Sequence, residues 1–265
     1  MSKLQNLTLL SGNLIREFQP YSGMAVAVSG GVDSSTLLAA ACHYFGPENC
    51  LGILAISPSL ARSERESAHN VCAELNVELV EIQTQEMDSQ EYRQNLGDRC
   101  YWCKRALFLE ALPIAQFNNL PLAYGENAED LLEERPGRRA AIQAGILAPL
   151  RDAGMYKSHV RHLAKQLGLK IAHKPASPCL ASRIAKGVRV EIDDLNTIDI
   201  IESKIKSMGF SNLRARLVAP MVIFLEFEEE ELKRAEGLKE KFAQLLEQYN
   251  MTLLGVRRYC SGAVA

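Results

Sequence analysis

The chain has 265 residues, 47% hydrophobic and 23% charged, with a formal net charge of −2. This near-neutral balance excludes the broad basic footprint of a general nucleic-acid binder, and no apolar run reaches membrane-spanning length. The length fits one large domain, or one large domain with a smaller companion.

The first residues place Leu4, Leu7, Leu10, Leu14, Ile15 and Phe18 on one helical face. They show no small-residue cleavage site behind a continuous apolar core, so a cytoplasmic location is expected. MAVAVS (24–29) reads as a buried strand, followed by Gly30, Gly31 and a helix from Ser34 to about Tyr44. CLGILAIS (50–57) predicts a second strand, 61–76 an amphipathic helix and VELVEI (77–82) a third strand. A helix over 99–118 precedes a fourth strand, LPLAYG (120–125), and helices near 138–144 and 157–167. Strands alternating with helices predict an α/β fold: a Rossmann-like parallel sheet with helices on both faces and ligands beyond the carboxyl ends of the strands. After about residue 188 the order changes to helix 193–208, strands 213–218 and 221–227, helix 229–249 and strand 251–256. We therefore expect a domain over 1–188 and a small α+β domain over 189–265 that contributes to the substrate site.

SGGVDSS (29–35) closes the first strand. Gly30 and Gly31 permit a tight turn and close approach of the backbone to a ligand, with amides aimed at an anion. Ser29, Ser34 and Ser35 add hydroxyl donors. Asp33 would repel phosphates unless it binds Mg²⁺ or a water on it. The loop has neither the lysine of a GxxxxGK[ST] loop nor a GxGxxG spacing.

The seven cysteines are Cys42, Cys50, Cys72, Cys100, Cys103, Cys179 and Cys260. An odd number in a chain of this size does not suggest a disulfide framework. The first three lie in apolar segments and read as buried packing groups; Cys260 carries no assignment. In GDRCYWCKRAL (97–107), Cys100 and Cys103 share one helical face. PASPCLASRI (175–184) sets Cys179 in a proline-bounded loop ahead of Ser182 and Arg183. In LRARL (213–217), Arg214 and Arg216 project from one strand face and suit an anion such as a substrate phosphate.

SGGVDSS resembles the pyrophosphate loop of the PP-loop ATP pyrophosphatases, which cut ATP between the α- and β-phosphates and adenylate an oxygen. With CYWCK, GENAEDLLEERPGRRAA (125–141), PCLASR and LRARL, the chain resembles the LarE family from about residue 10 to 227. That resemblance implies an ATP-dependent sulfurtransferase acting on pyridinium-3,5-biscarboxylic acid mononucleotide in assembly of the nickel-pincer nucleotide cofactor. It implies ATP and Mg²⁺, with Ser29, Gly30, Gly31, Asp33, Ser34 and Ser35 on the ATP and Cys179, Asp33, Asp130, Ser182 and Arg183 in catalysis. Glu129 stands where the family motif suggests Asp, so Asp130 is the preferred carboxylate. In one branch a single cysteine, here matched by Cys179, is sacrificed as sulfur donor. In another, three cysteines hold a [4Fe-4S] cluster with an open iron, and Cys100, Cys103 and Cys179 suit that branch.

Alternatives stay open for the thiols: a redox pair, or a zinc site with His173. Trp102 can stack on a pyridinium ring or pack, and Lys104 can meet phosphate or solvent. Glu202, and more weakly Glu226, can hold a divalent ion near the substrate phosphate. The expected partner is a small nucleotide, with no nucleic acid or membrane. By analogy we also expect a homo-oligomer, with sulfur from a delivery protein or free sulfide. Competing functions are tRNA thiolation, which wants a basic appendage, an amide-forming synthetase, which wants ammonia and leaves the thiols without a role, and an inactive ATP-binding or redox-sensing module.

Overall fold

The computed structural model describes residues 10–132 and 136–259. Leu4, Leu7 and Cys260, named above, lie outside them. The chain divides into two compact units, Met1–Glu86 with Cys100–Ser177, and Met87–Arg99 with Pro178–Ala265. Two features differ from the expected break near 188. The division falls at Ser177/Pro178, and an earlier segment joins the second unit.

The first unit is built on a four-stranded parallel sheet in the order β3-β2-β1-β4. Its strands are β1 (Met24–Val28), β2 (Cys50–Ile56), β3 (Glu78–Gln83) and β4 (Leu122–Tyr124). In register, Val26 faces Gly52 on one side and Ala123 on the other. A single parallel bridge at Leu147 extends the β4 edge. Every residue of β1 is buried, as a strand covered on both faces requires. Period-2 alternation divides it between two cores. Met24, Val26 and Val28 join Leu14 and Phe18 of α1 (Gly12–Phe18), Leu37 and Leu38 of α2 (Val32–Phe45), and Cys72 of α3 (Arg62–Leu75). Ala25 and Ala27 face Phe108, Ala111 and Ala115, with their small side chains against a bulky helix. Each large apolar side chain buried in this way contributes about 1.5–3 kcal/mol. Cys42, Cys50 and Cys72 are free and buried, as expected. Burial pushes the Cys72 thiol up to about 11, so it stays neutral.

One later segment, Cys100–Ser177, completes this unit. The helix carrying CYWC, α5 (Arg99–Phe117), begins at the join between the units. After it come α6 (Pro136–Gln143), α7 (Pro149–Asp152) and α8 (Lys157–Gln166). α4 (Gln90–Gln94) belongs to the second unit, where Tyr92 is buried.

The second unit holds α9 (Ile192–Ser207) and a three-stranded sheet, β5 (Leu213–Ala219), β6 (Val222–Phe227) and β7 (Thr252–Arg258). β5 and β6 pair antiparallel, β6 and β7 parallel. A parallel pair needs a crossover. The sequence suggests one helix over 229–249; the structure has two, α10 (Glu229–Glu236) and α11 (Lys239–Glu247), broken at Gly237 and Leu238. The break brings Phe242 within 5.7 Å of both Phe227 and Phe210, ring centre to ring centre. Asn95, in the left-handed conformation at φ +54°, donates its amide to the carbonyls of Ile184, Ala185 and Val188. That contact ties Met87–Arg99 to the later chain.

Candidate active site

The glycine loop sits at the carboxyl end of β1, with Gly31 as the N-cap of α2. Gly30 has φ +73°, and a Cβ there would lie 2.2 Å from the Glu64 carbonyl oxygen, so both space and conformation demand glycine. At the end of β4, a Cβ on Gly125 would lie 2.5 Å from the Ser34 nitrogen. The strand end therefore rests on the first turn of α2. Ser34, an expected ATP donor, turns its hydroxyl into the loop: it accepts from the Ser29 N–H at 3.1 Å and reaches the Gly31 carbonyl at 3.3 Å. Ser35 is buried, and its hydroxyl has no partner among the described residues. Ser29, Gly31 and Asp33 are the loop residues that meet solvent.

Asp33 and Asp130 are neighbours. Asn127 donates its amide to Asp33 at 3.0 Å and its backbone N–H to Asp130 at 3.2 Å. Burial pushes the Asp33 carboxyl above its ordinary value. The Asn127 hydrogen bond opposes that push, and the Asp130 charge adds to it. Two carboxylates that disfavour each other's charge at an anion-facing loop fit a divalent cation, so Asp33 and Asp130 would hold Mg²⁺. Glu129 lies elsewhere, accepting the Lys157 N–H at 3.0 Å.

Glu126 was not singled out in the sequence. It is buried and takes hydrogen bonds from Tyr124 at 2.5 Å, Arg138 at 3.0 Å and Arg151 at 2.8 Å. Burial pushes its carboxyl up, but these three partners outweigh it and hold the group below the usual carboxylate range. Arg138 also donates to the Asp130 carbonyl. The position of Glu126 at a strand end is the signal that could have found it.

A cavity of about 360 Å³ opens here, lined by Cys100, Lys104, Glu126, Asp130 and Arg138. Gly137 allows it: a Cβ would come within 3.1 Å of Lys104 Cγ. Lys104 Nζ lies 4.1 Å from the Tyr124 ring centre. Burial pulls its pKa below that of a free lysine, while Cys103, Glu126 and Cys100 pull it back. Lys104 thus faces the cleft. Trp102 lines a different cleft of about 250 Å³, beside Arg105 and Leu109, with its ring edge-on to Tyr101.

Cys100 is exposed and Cys103 half-buried, in the first turns of the long helix α5. His173 is exposed. Within either unit, the described residues form no group of three or more His, Cys, Asp or Glu placed to hold a metal. Cys100 and Cys103 belong to the first unit, and Cys179, which is exposed, to the second. Sulfur donors are the right chemistry for iron.

In the second unit the Cys179 loop is fixed from below. Arg183, 2% exposed, donates to the carbonyls of Pro178 and Cys179 and makes a two-pronged pair with Glu202 at 2.9 and 3.0 Å. Glu202 Oε1 also accepts the Ala215 N–H at 3.0 Å, so both oxygens of this expected metal ligand are engaged by protein. Arg216 pairs with Glu226 at 2.9 Å and donates to the Ser182 carbonyl at 2.6 Å. Arg257 takes the other oxygen of Glu226. The anion beside Arg216 is therefore internal. Burial and the Arg183 charge hold the Arg214 guanidinium below its ordinary value, against the pull of Glu202. An added anion would relieve it.

Among known proteins, the family described as NAD synthase matches residues 6–100. The uncharacterized protein slr1717 of Synechocystis sp. is 34% identical over 220 residues, 81% of this chain and 78% of its own. The pyridinium-3,5-bisthiocarboxylic acid mononucleotide synthase of Lactiplantibacillus plantarum is 27% identical over 214 residues, 80% of this chain and 78% of that protein. The uncharacterized protein MJ0830 of Methanocaldococcus jannaschii is 26% identical over 259 residues, 97% and 95% of the two chains. With the glycine loop at the end of β1 and the acidic pair beside it, these matches place the chain among the PP-loop, ATP-using enzymes, and its similarity to the Lactiplantibacillus synthase agrees with the LarE resemblance of its motifs.

Proposed function

We propose that this protein is an ATP-dependent sulfurtransferase that adenylates a carboxylate of pyridinium-3,5-biscarboxylic acid mononucleotide and converts it to a thiocarboxylate. The observation that carries the reading is the shared cavity of Cys100, Lys104 and Asp130 at the strand ends, close to the loop that bears Asp33. An amide-forming synthetase leaves Cys100 without a role there. Similarity to the Lactiplantibacillus synthase supports the choice of substrate.

In this mechanism the loop amides hold the ATP phosphates. Asp33 and Asp130 would hold Mg²⁺, which would neutralise charge on the leaving pyrophosphate. A substrate carboxylate oxygen attacks the α-phosphorus, the bond to the β-phosphate oxygen breaks, and pyrophosphate leaves. Lys104, which faces the cleft, donates to the acyl-adenylate. Arg214 receives the nucleotide phosphate, which lifts its electrostatic penalty. A sulfur nucleophile then attacks the acyl carbon and AMP departs with the carboxylate oxygen. A cluster held by Cys100, Cys103 and Cys179 would supply a renewable sulfide for that step. Without it, the Cys179 thiolate is itself the nucleophile: it forms a thioester as AMP leaves, and loss of the Cys179 Cα proton with cleavage of its Cβ–Sγ bond then releases the thiocarboxylate and leaves dehydroalanine, while the Arg183 bonds to the Cys179 and Pro178 carbonyls hold that loop in place. An anaerobic assay counting sulfurs transferred per polypeptide decides between these. The cluster reading expects more than one, and loss of turnover in C100S, C103S and C179S alike. One sulfur per chain, lost only in C179S, contradicts it.

A further inference from the structure

A lysine sits directly behind the glycine loop. Lys174 Nζ donates to the Gly30 carbonyl at 2.8 Å and to Glu64 Oε2 at 2.8 Å. Ser67 Oγ donates to the same carbonyl at 3.1 Å. In a trans peptide the C=O and the following N–H point in opposite directions. A Gly30 carbonyl held toward α3 therefore turns the Gly31 N–H outward, to the open side of the loop. That N–H makes only a 3.4 Å contact with Ser29 Oγ, so an incoming anion can take it. The held carbonyl is not optional: an inward peptide oxygen without a donor carries a desolvation cost. The donor is itself fixed. Glu64 is buried, and Arg161 grips the chain around the lysine by donating to the Ala172 and Lys174 carbonyls, both at 2.9 Å.

We propose that Lys174, with Ser67 as second donor, is the positioning residue of the phosphate loop: it locks the Gly30–Gly31 peptide so that the Gly31 N–H faces a bound phosphate. This role rests on the ATP-using reading. Glu64 balances the lysine charge, so Lys174 acts by orientation more than by field. The phosphate end of the ligand depends on it, and the nucleoside end does not.

Calorimetric titration of the full chain in Mg²⁺ buffer with ATP, pyrophosphate and AMP, alongside thermal unfolding, tests this. K174M is expected to weaken pyrophosphate binding at least tenfold and AMP binding less than twofold. S67A should lose about threefold for pyrophosphate alone, and K174R, which keeps two donors, should recover most of the K174M loss. Equal pyrophosphate affinity in K174M and wild type overturns the positioning role and leaves the ATP reading standing. Equal losses for AMP and pyrophosphate overturn it in favour of a general structural role. Wild-type protein that binds neither ATP nor pyrophosphate overturns both. If K174M does not fold, S67A decides: a selective loss supports the role and an unchanged affinity overturns it.

Discussion

Burial works against the negative charge of Asp33. Its carboxyl is raised by burial and by Asp130, so the folded chain binds its proton more tightly than the unfolded chain does. The stability this group gives is present at low pH and is lost as pH rises from about 3.8 through the raised value. At neutral pH the ionised form therefore costs stability until a cation arrives. D33N should raise the melting temperature of the cation-free protein by roughly 2–4 °C, about 1 kcal/mol, while lowering pyrophosphate release at least a hundredfold. Calorimetry and a pyrophosphate assay check the two halves; a lower melting temperature in D33N contradicts the account. Asp33 could be singled out in the sequence because a carboxylate in a glycine loop at a strand end needs an explanation. Glu126 was not, because its meaning depends on Arg151, which only the fold brings to it.

Among the elements, α9 is tied to the Cys179 loop by a buried ion pair and to β5 by a hydrogen bond. Glu202 on α9 serves Arg183 through both oxygens and caps the Ala215 N–H of β5. Removing it leaves a guanidinium, 2% exposed, facing an empty site. E202A should destabilise the protein by roughly 3–5 kcal/mol in urea unfolding. A change below about 1 kcal/mol would show that Glu202 is not bound to Arg183 and is available for a metal. Strand period correctly set Arg214 and Arg216 on one face, yet their carboxylate neighbours come from α9 and β6, distant in sequence. Pattern likewise suggested one helix over 229–249, because the charged periodicity runs on across Gly237; the aromatic cluster around Phe242 supplies the reason for the break.

For the whole molecule, the parallel sheet could be read from strand–helix alternation, and the family from a few motifs. The segment Met87–Arg99 could not, since Asn95 gains its role only where three distant carbonyls meet it. A fragment over 178–265 lacks that segment, and we expect it to unfold without a cooperative transition in circular dichroism. A transition as sharp as the full chain's would show that Asn95 and Tyr92 are dispensable. In the proposed reaction a substrate carboxylate oxygen becomes bonded to the α-phosphorus of ATP. Mass spectrometry of AMP formed from ¹⁸O-carboxylate-labelled pyridinium biscarboxylate nucleotide tests it most directly. The account predicts one ¹⁸O in each AMP, in step with thiocarboxylate formed; unlabelled AMP, or thiocarboxylate without AMP, would contradict it.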